Sequence, residues 1–177
     1  MRRAVFLDRD GVINRSLVRD GKPYAPTGAS DFELLPGVAE ALSCFRQGGF
    51  LNIVVTNQPD VATGRQRRED LDVLHARLMT ELPIDAFKVC CHVDADGCDC
   101  RKPKPGLLLE SAREFDIDLG ASYMVGDRWR DVAAGQQAGC KNCFFIDYGY
   151  AEKGPEQPFT VVKSLGNSVS YILADAG

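Results

Sequence analysis

Asp8 and Asp10 stand two residues apart in Phe6-Leu7-Asp8-Arg9-Asp10-Gly11, directly after a short apolar run. In extended chain, side chains two apart project to the same side, and Gly11 lets the backbone turn sharply after them. The pair is a candidate metal or catalytic site, and the same pattern also fits a solvated turn or a sugar-nucleotide metal site. A calcium loop is excluded. It requires an oxygen ligand at its fifth position and glycine at its sixth, whereas here Gly11 is fourth and Val12 fifth.

Other polar groups follow apolar runs farther along. Thr56-Asn57-Gln58 offers a hydroxyl and backbone N–H groups able to hold phosphate oxygens, and equally fits a polar strand end. Arg101-Lys102-Pro103-Lys104-Pro105-Gly106 offers cations on a proline-stiffened loop, or a solvated basic loop. Gly126-Asp127, with Asp131, offers carboxylates for a metal, although Asp127 would also serve as a helix N-cap.

The cysteines form a second constellation. Cys90-x-His92 is followed by Cys98-x-Cys100. Three thiolates and one imidazole make a closed tetrahedral zinc site with no open position, so the zinc is expected to be structural. Strand alternation puts Cys90 and His92 on one face, which favours Cys90 over Cys91 as first ligand. Cys44, Cys140 and Cys143 show no partner pattern and read as small buried apolar residues. His75 reads as structural, and Arg65, Arg67 and Arg68 as a solvated face or as cations that meet a second phosphate at the pocket rim.

The elements that must position these groups alternate. Ala4–Leu7, Ile53–Val55, Phe87–Cys91, Tyr123–Val125 and Cys143–Ile146 are apolar on both faces, as buried parallel strands are. Val38, Ala41, Leu42 and Phe45 make a helical stripe after Pro36 and before Gly48-Gly49; Leu71, Leu74, His75 and Leu78, then Leu108, Ala112 and Phe115, make two more. Further helices are expected from about Trp129 to Ala138 and near Ser168 to Leu173. Arg15 to Asp31 reads as a loop. The alternation predicts a three-layer α/β fold with a mainly parallel sheet, in which ligands bind beyond the carboxyl ends of the strands. Asp8, Thr56 and Asp127 all sit at such ends and should converge.

The chain has 177 residues, enough for one domain over 1–177 with the zinc loop at about 90–100. Net charge is -4, with 45% hydrophobic and 26% charged residues. This supplies no basic footprint for extended nucleic-acid binding, so nucleic acid is not an expected partner. No apolar run reaches the roughly 18 residues of a membrane span. The apolar run before Asp8 is too short for a signal-peptide core. An odd cysteine count with four of the seven crowded together fits a reducing compartment, so a cytoplasmic location is expected.

Taken in order, Asp8-x-Asp10, Thr56, Lys102 and Gly126-Asp127 resemble the four motifs of the haloacid-dehalogenase (HAD) superfamily over nearly the whole chain. Asp8-Arg9-Asp10-Gly11-Val12-Ile13-Asn14, Thr56-Asn57-Gln58 and Cys98-Asp99-Cys100-Arg101-Lys102-Pro103 are similar to the heptose-bisphosphate and histidinol-phosphate phosphatase branch. That resemblance implies a Rossmann-like fold and a phosphatase working through an aspartyl-phosphate. It implies Asp8 as nucleophile, Asp10 as acid and base, and magnesium on Asp8, the Asp10 carbonyl and Asp127. Lys102 and Thr56 would steady the phosphoryl group, with Asn57, Gln58 and Arg101 binding substrate. Zinc in the cysteine loop also fits the resemblance. No large insertion stands where caps occur, so no large cap domain is expected.

A compact chain of this kind is most similar to D-glycero-D-manno-heptose 1,7-bisphosphate phosphatases, acting on a sugar phosphate. Those enzymes commonly carry Ser-Gly and then Ala-Arg-Gly after Thr-Asn-Gln. Here the stretch is Pro59-Asp60-Val61-Ala62-Thr63-Gly64, and Asp60 is expected to repel a second phosphate. The alternatives are a histidinol-phosphate phosphatase, a polynucleotide 3'-phosphatase and a non-catalytic zinc-stabilised binding module.

Overall fold

Ala4 and Phe6 point to one side of the first strand, Val5 and Leu7 to the other, and all four are fully buried in separate hydrophobic clusters. That is the signature of a strand covered on both faces. In the computed structural model, which describes residues 1–26, 28 and 31–175, this strand is β1 (Arg3–Leu7). It lies inside a parallel six-stranded sheet of order β5-β4-β1-β6-β7-β8. The other members are β4 (Phe50–Asn57), β5 (Ala86–Cys90), β6 (Tyr123–Gly126), β7 (Asn142–Ile146) and β8 (Thr160–Val162).

The helices form the outer layers. α1 (Val38–Gln47) turns Val38, Ala41, Leu42 and Phe45 inward, and α5 (Leu165–Asp175) adds Leu165 and Ile172 to the same cluster. Leu78 of α2 (Arg68–Glu81) joins them. On the other face, Leu107 and Leu108 of α3 (Gly106–Phe115) meet Val132, Ala134 and Ala138 of α4 (Trp129–Ala138). Each such Val, Leu, Ile or Phe side chain, fully buried, contributes roughly 1.5–3 kcal/mol. α4 stops at Gly139, whose φ of 86° is the left-handed cap that glycine accepts.

Two segments differ from expectation. Within the stretch read as a loop from Arg15 to Asp31, Leu17–Arg19 (β2) and Lys22–Tyr24 (β3) pair as an antiparallel ribbon. Asp20 and Gly21 turn it with φ of 50° and 71°, the positive values a tight hairpin demands. Positions 27, 29 and 30 of that stretch lie outside the described residues. β8 was not foreseen, because Thr160-Val161-Val162 is too short and too exposed to form an apolar run. Between β1 and α1, β2 and β3 are the only strands among the described residues. No helix is long and apolar enough to cross a membrane among the described residues.

Candidate active site

Leu7 pairs with Val54 of β4 on one side and Val125 of β6 on the other. This register brings Asp8, Thr56 and Asp127 to one edge of the sheet. The Asp8 N–H donates to the Val125 carbonyl at 3.0 Å, which fixes the nucleophile candidate against β6. The chain leaves β1 toward β4 and returns on the other side as β6, so the crevice above β1 is the topological switch point.

Lys102 occupies the floor. Its Nζ lies 2.9 Å from Asp8 Oδ1 and 2.6 Å from Asp131 Oδ1, and it donates to the Val55 carbonyl at 2.7 Å. Asp8 Oδ1 also accepts the Arg9 N–H at 2.8 Å, and Asp131 Oδ2 accepts the Arg128 N–H at 2.9 Å. Asp127 Oδ2 accepts the Tyr150 hydroxyl at 2.8 Å. Two oxygens remain: Asp8 Oδ2 has no hydrogen-bond partner among the described residues, and Asp127 Oδ1 is buried without one.

Asp8, Asp127 and Asp131 each offer an oxygen within 4.8 Å of the others. Three carboxylates thus face one ammonium in a buried site, which leaves excess negative charge that burial makes costly. Burial, with Asp131 and Asp10 nearby, pushes the Asp8 carboxyl up to about 7 against the pull of Lys102. Burial and Asp8 raise Asp127 well above the usual carboxylate range. Burial would depress Lys102, but Asp131 and Asp8 outweigh it and raise its pKa. A hard divalent cation such as magnesium fits this donor set, because it takes carboxylate oxygens and supplies the missing charge. Two glycines pack against these carboxylates with no room for a side chain: a Cβ on Gly11 would lie 1.9 Å from Asp127 Oδ2, and one on Gly126 2.1 Å from the Asp131 Cβ.

Asp10 is held differently. Arg9 Nη2 donates to its Oδ1 at 2.9 Å, Asn14 Nδ2 to Oδ1 at 2.9 Å and Gln58 Nε2 to Oδ2 at 2.8 Å. Every contact comes from an N–H donor, so Asp10 as placed accepts. Arg9 points the opposite way from Asp8 and is fully buried, where it also meets His75 Nε2 at 3.1 Å. His75 stacks on Phe87 at 4.1 Å, and burial and the adjacent Arg9 push its pKa down to about 3. It is therefore a neutral structural acceptor beneath the site.

The remaining sequence candidates sort into wall and support. Thr56 is fully buried, and its hydroxyl accepts from Gln58 at 2.9 Å beneath the cavity. Gln58 is likewise buried and spends its amide on Asp10, Thr56 and Arg9. Asn57 lines the cavity, but its amide clasps the Lys102 backbone, donating to its carbonyl and accepting its N–H, both at 3.1 Å. Asn57 thereby ties β4 to the loop that delivers the ammonium.

The cysteine loop closes on itself. Cys90, His92, Cys98 and Cys100 place three sulfurs and one ring nitrogen within 4.8 Å of one another. The sulfurs lie 3.1–3.7 Å apart, and His92 Nδ1 is 3.3 Å from Cys100 Sγ. A tetrahedron with Zn–S bonds of about 2.3 Å has edges of about 3.7 Å, so the cluster can hold zinc. Cys91 lies outside it and meets Arg68. The loop carries Asp94, whose Oδ1 accepts from Arg101 Nε at 2.6 Å and whose Oδ2 accepts from Arg130 Nη2 at 3.1 Å. Both arginines line the cavity.

That cavity is about 440 Å³. Beyond the carboxylates its wall carries Lys22 from the ribbon, Arg65, Arg101, Arg128 and Arg130, against Asp60 and Glu152. Arg65 is exposed at the cavity rim, while Arg67 and Arg68 pair with Glu69 and Asp72. Arg65 also lies 3.7 Å from Asp60, which offsets the repulsion expected of that carboxylate. Trp129 faces away from the cavity, with the Lys153 ammonium over its ring at 3.9 Å.

Sequence reasoning left Arg9, Asn14, Tyr150, Arg130 and Asp94 without a role. Arg9 was within reach: alternation turns it into the core between two carboxylates. Tyr150 gave no local signal, because it meets Asp127 only through the fold.

The HAD-hydrolase-like family model matches residues 99–167. The chain is 33% identical over 94% of its length to the D-glycero-beta-D-manno-heptose-1,7-bisphosphate 7-phosphatase of Pasteurella multocida, covering 95% of that protein. It is 39% identical over 85% of its length to the D-glycero-alpha-D-manno-heptose-1,7-bisphosphate 7-phosphatase of Mycobacterium bovis, covering 81% of that protein. Among solved structures, the D,D-heptose 1,7-bisphosphate phosphatase of B. bronchiseptica complexed with magnesium and phosphate superposes with a TM-score of 0.84. It is 30% identical, over 98% of this chain and 99% of that one.

Proposed function

The chain belongs to the D-glycero-D-manno-heptose-1,7-bisphosphate 7-phosphatase family of HAD-like hydrolases, and on that footing we propose that it removes the 7-phosphate from such a heptose bisphosphate in a magnesium-dependent reaction. The observation that carries the reading is the pair Asp8 Oδ2 and Asp127 Oδ1, two oxygens left without hydrogen bonds beside a buried ammonium.

Asp8, Asp127 and the backbone carbonyl of Asp10 would hold magnesium, which supplies positive charge to the phosphoryl oxygens. Asp8 attacks phosphorus, so that an O–P bond forms while the bond to the sugar oxygen breaks, and Asp10 delivers a proton to that oxygen. Water then attacks the phosphorus of the aspartyl-phosphate, Asp10 takes its proton, and phosphate leaves with Asp8 restored. Lys102, already 2.9 Å from Asp8, balances charge as it moves between the oxygens. Thr56 supports this pair from below by holding Gln58, which in turn holds Asp10.

A doubly phosphorylated substrate suits the wall. Lys22 has no partner among the described residues, and Arg101 and Arg130 are aimed by Asp94, so the rim offers cations to a second phosphate. The site gathers at one edge of a single sheet, with Asp131 supplied by α4, which supports a single domain. The odd cysteine count, with four of the seven crowded together, supports a cytoplasmic location.

Phosphate release with magnesium present tests the proposal. The substrates are both anomers of the heptose bisphosphate, histidinol phosphate, a 3'-phosphorylated DNA end and an aryl phosphate. The bisphosphate should be turned over fastest and lose one phosphate, and Asp8→Asn should lower turnover by at least about 10³-fold while the protein stays folded. Preference for histidinol phosphate or the DNA end overturns the substrate. No turnover of any of them overturns the phosphatase reading.

A further inference from the structure

The segment after β7 straps the site. Tyr148 donates to the Gly11 carbonyl at 3.0 Å, Tyr150 to Asp127 Oδ2 at 2.8 Å, and the Ala151 N–H to the Gly21 carbonyl at 2.8 Å. Glu152 pairs with Arg128, Nε to Oε2 at 3.1 Å. The tyrosine rings lean together with centroids 5.6 Å apart. One short stretch thus touches the turn after β1, the end of β6, the start of α4 and the ribbon.

Within this strap, the Tyr150 contact has a chemical consequence. A carboxylate on a buried strand end can present either oxygen to a cation, or rotate between the two. Here the phenol occupies Oδ2. Oδ1 is left buried and unpartnered.

We propose that Tyr150 is a positioning residue for the divalent cation: by holding Asp127 Oδ2 it presents Oδ1 to the metal. This rests on the magnesium reading above. Without the phenol, Oδ2 is buried with no donor and the carboxylate is free to rotate, so part of the binding free energy goes into fixing it. Partners of metal ligands typically change affinity or activity 10–100-fold when removed, and a lost buried hydrogen bond acts in the same direction.

The test is Tyr150→Phe, which keeps the ring and removes the hydroxyl. Magnesium affinity is read without substrate, from the rise of Tm with magnesium concentration, and again from the magnesium dependence of turnover. Both half-saturation values should rise by about 10-fold or more, while kcat at saturating magnesium stays within about threefold of wild type. Unchanged magnesium affinity overturns the assignment, including the case where the metal-free variant merely melts lower. Loss of kcat at unchanged affinity also overturns it, since Tyr150 would then act on substrate. A wild-type protein whose Tm ignores magnesium overturns the metal reading together with the assignment. Normal magnesium binding without turnover of any phosphate leaves the Tm comparison decisive, because it needs no reaction.

Discussion

Lys102 Nζ lies 2.6 Å from Asp131 Oδ1, and both side chains are only 2% exposed. The ammonium therefore sits under the nucleophile candidate instead of at the rim, where it counters two carboxylates at once. Its worth is measured by what remains when it is gone.

Lys102→Met keeps the length of the stem and leaves Asp8 and Asp131 unpaired. Unfolding in urea at pH 8 should show a loss of about 3–5 kcal/mol, the usual cost of breaking a buried pair from one side. The loss should shrink at pH 5, where the carboxylates can take up protons. Equal stability at both pH values would show that the cluster does not depend on the ammonium.

Magnesium binding should weaken in acid. Burial and the neighbouring Asp131 push the Asp8 carboxyl up to about 7 without metal, so below that pH a cation must displace a proton. The raised pKa means that Asp8 opposes folding of the metal-free chain as pH climbs from its unfolded value toward 7, and magnesium relieves that opposition. The magnesium-induced rise in Tm should therefore grow between pH 5.5 and 8. A shift constant across that range would contradict the charge balance of the site.

His75 acts with the opposite sign. Its folded pKa of about 3 lies below the ordinary 6.5, so its contribution to stability is complete above pH 6.5 and is lost as pH falls toward 3. At about 1.4 kcal/mol per pH unit, the loss reaches about 2 kcal/mol by pH 5. His75→Gln removes the titration and keeps an acceptor for Arg9. The difference between variant and wild type, followed by chemical denaturation from pH 7.5 to 5, isolates this term from that of Asp8. Parallel curves would place a charge on the ring.

The cysteine loop should link metal content to substrate affinity. Cys98→Ser should lower bound zinc, measured by elemental analysis, and lower Tm. Because Asp94 rides on this loop and aims Arg101 and Arg130, KM should rise by more than kcat falls. A full zinc complement in the variant would count against the four-ligand cluster.

The sheet was legible because its strands are apolar on both faces: Ala4–Leu7 and Ile53–Val55 have no other comfortable place. Asp8 and Asp127 were legible because each breaks such a run at its end. The β2–β3 ribbon and β8 were not, since strands of three residues carry too little periodicity to stand out from turns. The substrate roles expected of Asn57 and Gln58 rest on residue type and place. Only the fold reveals that one amide clasps the Lys102 backbone and the other clasps Asp10. Tyr150 and Asp94 act across distances in sequence that no local pattern encodes.

Leu7 is locked between Val54 and Val125, and a slip of one residue would send Asp8 to the opposite face of the sheet. The reacting groups are thus an all-or-nothing property of strand alignment. The hairpin at Asp20-Gly21 and the cysteine loop hang outside that frame. Descendants of this chain can lengthen or trim those outlying turns residue by residue and so change what is admitted, while gain or loss of a single position inside β1 offers no gradual route.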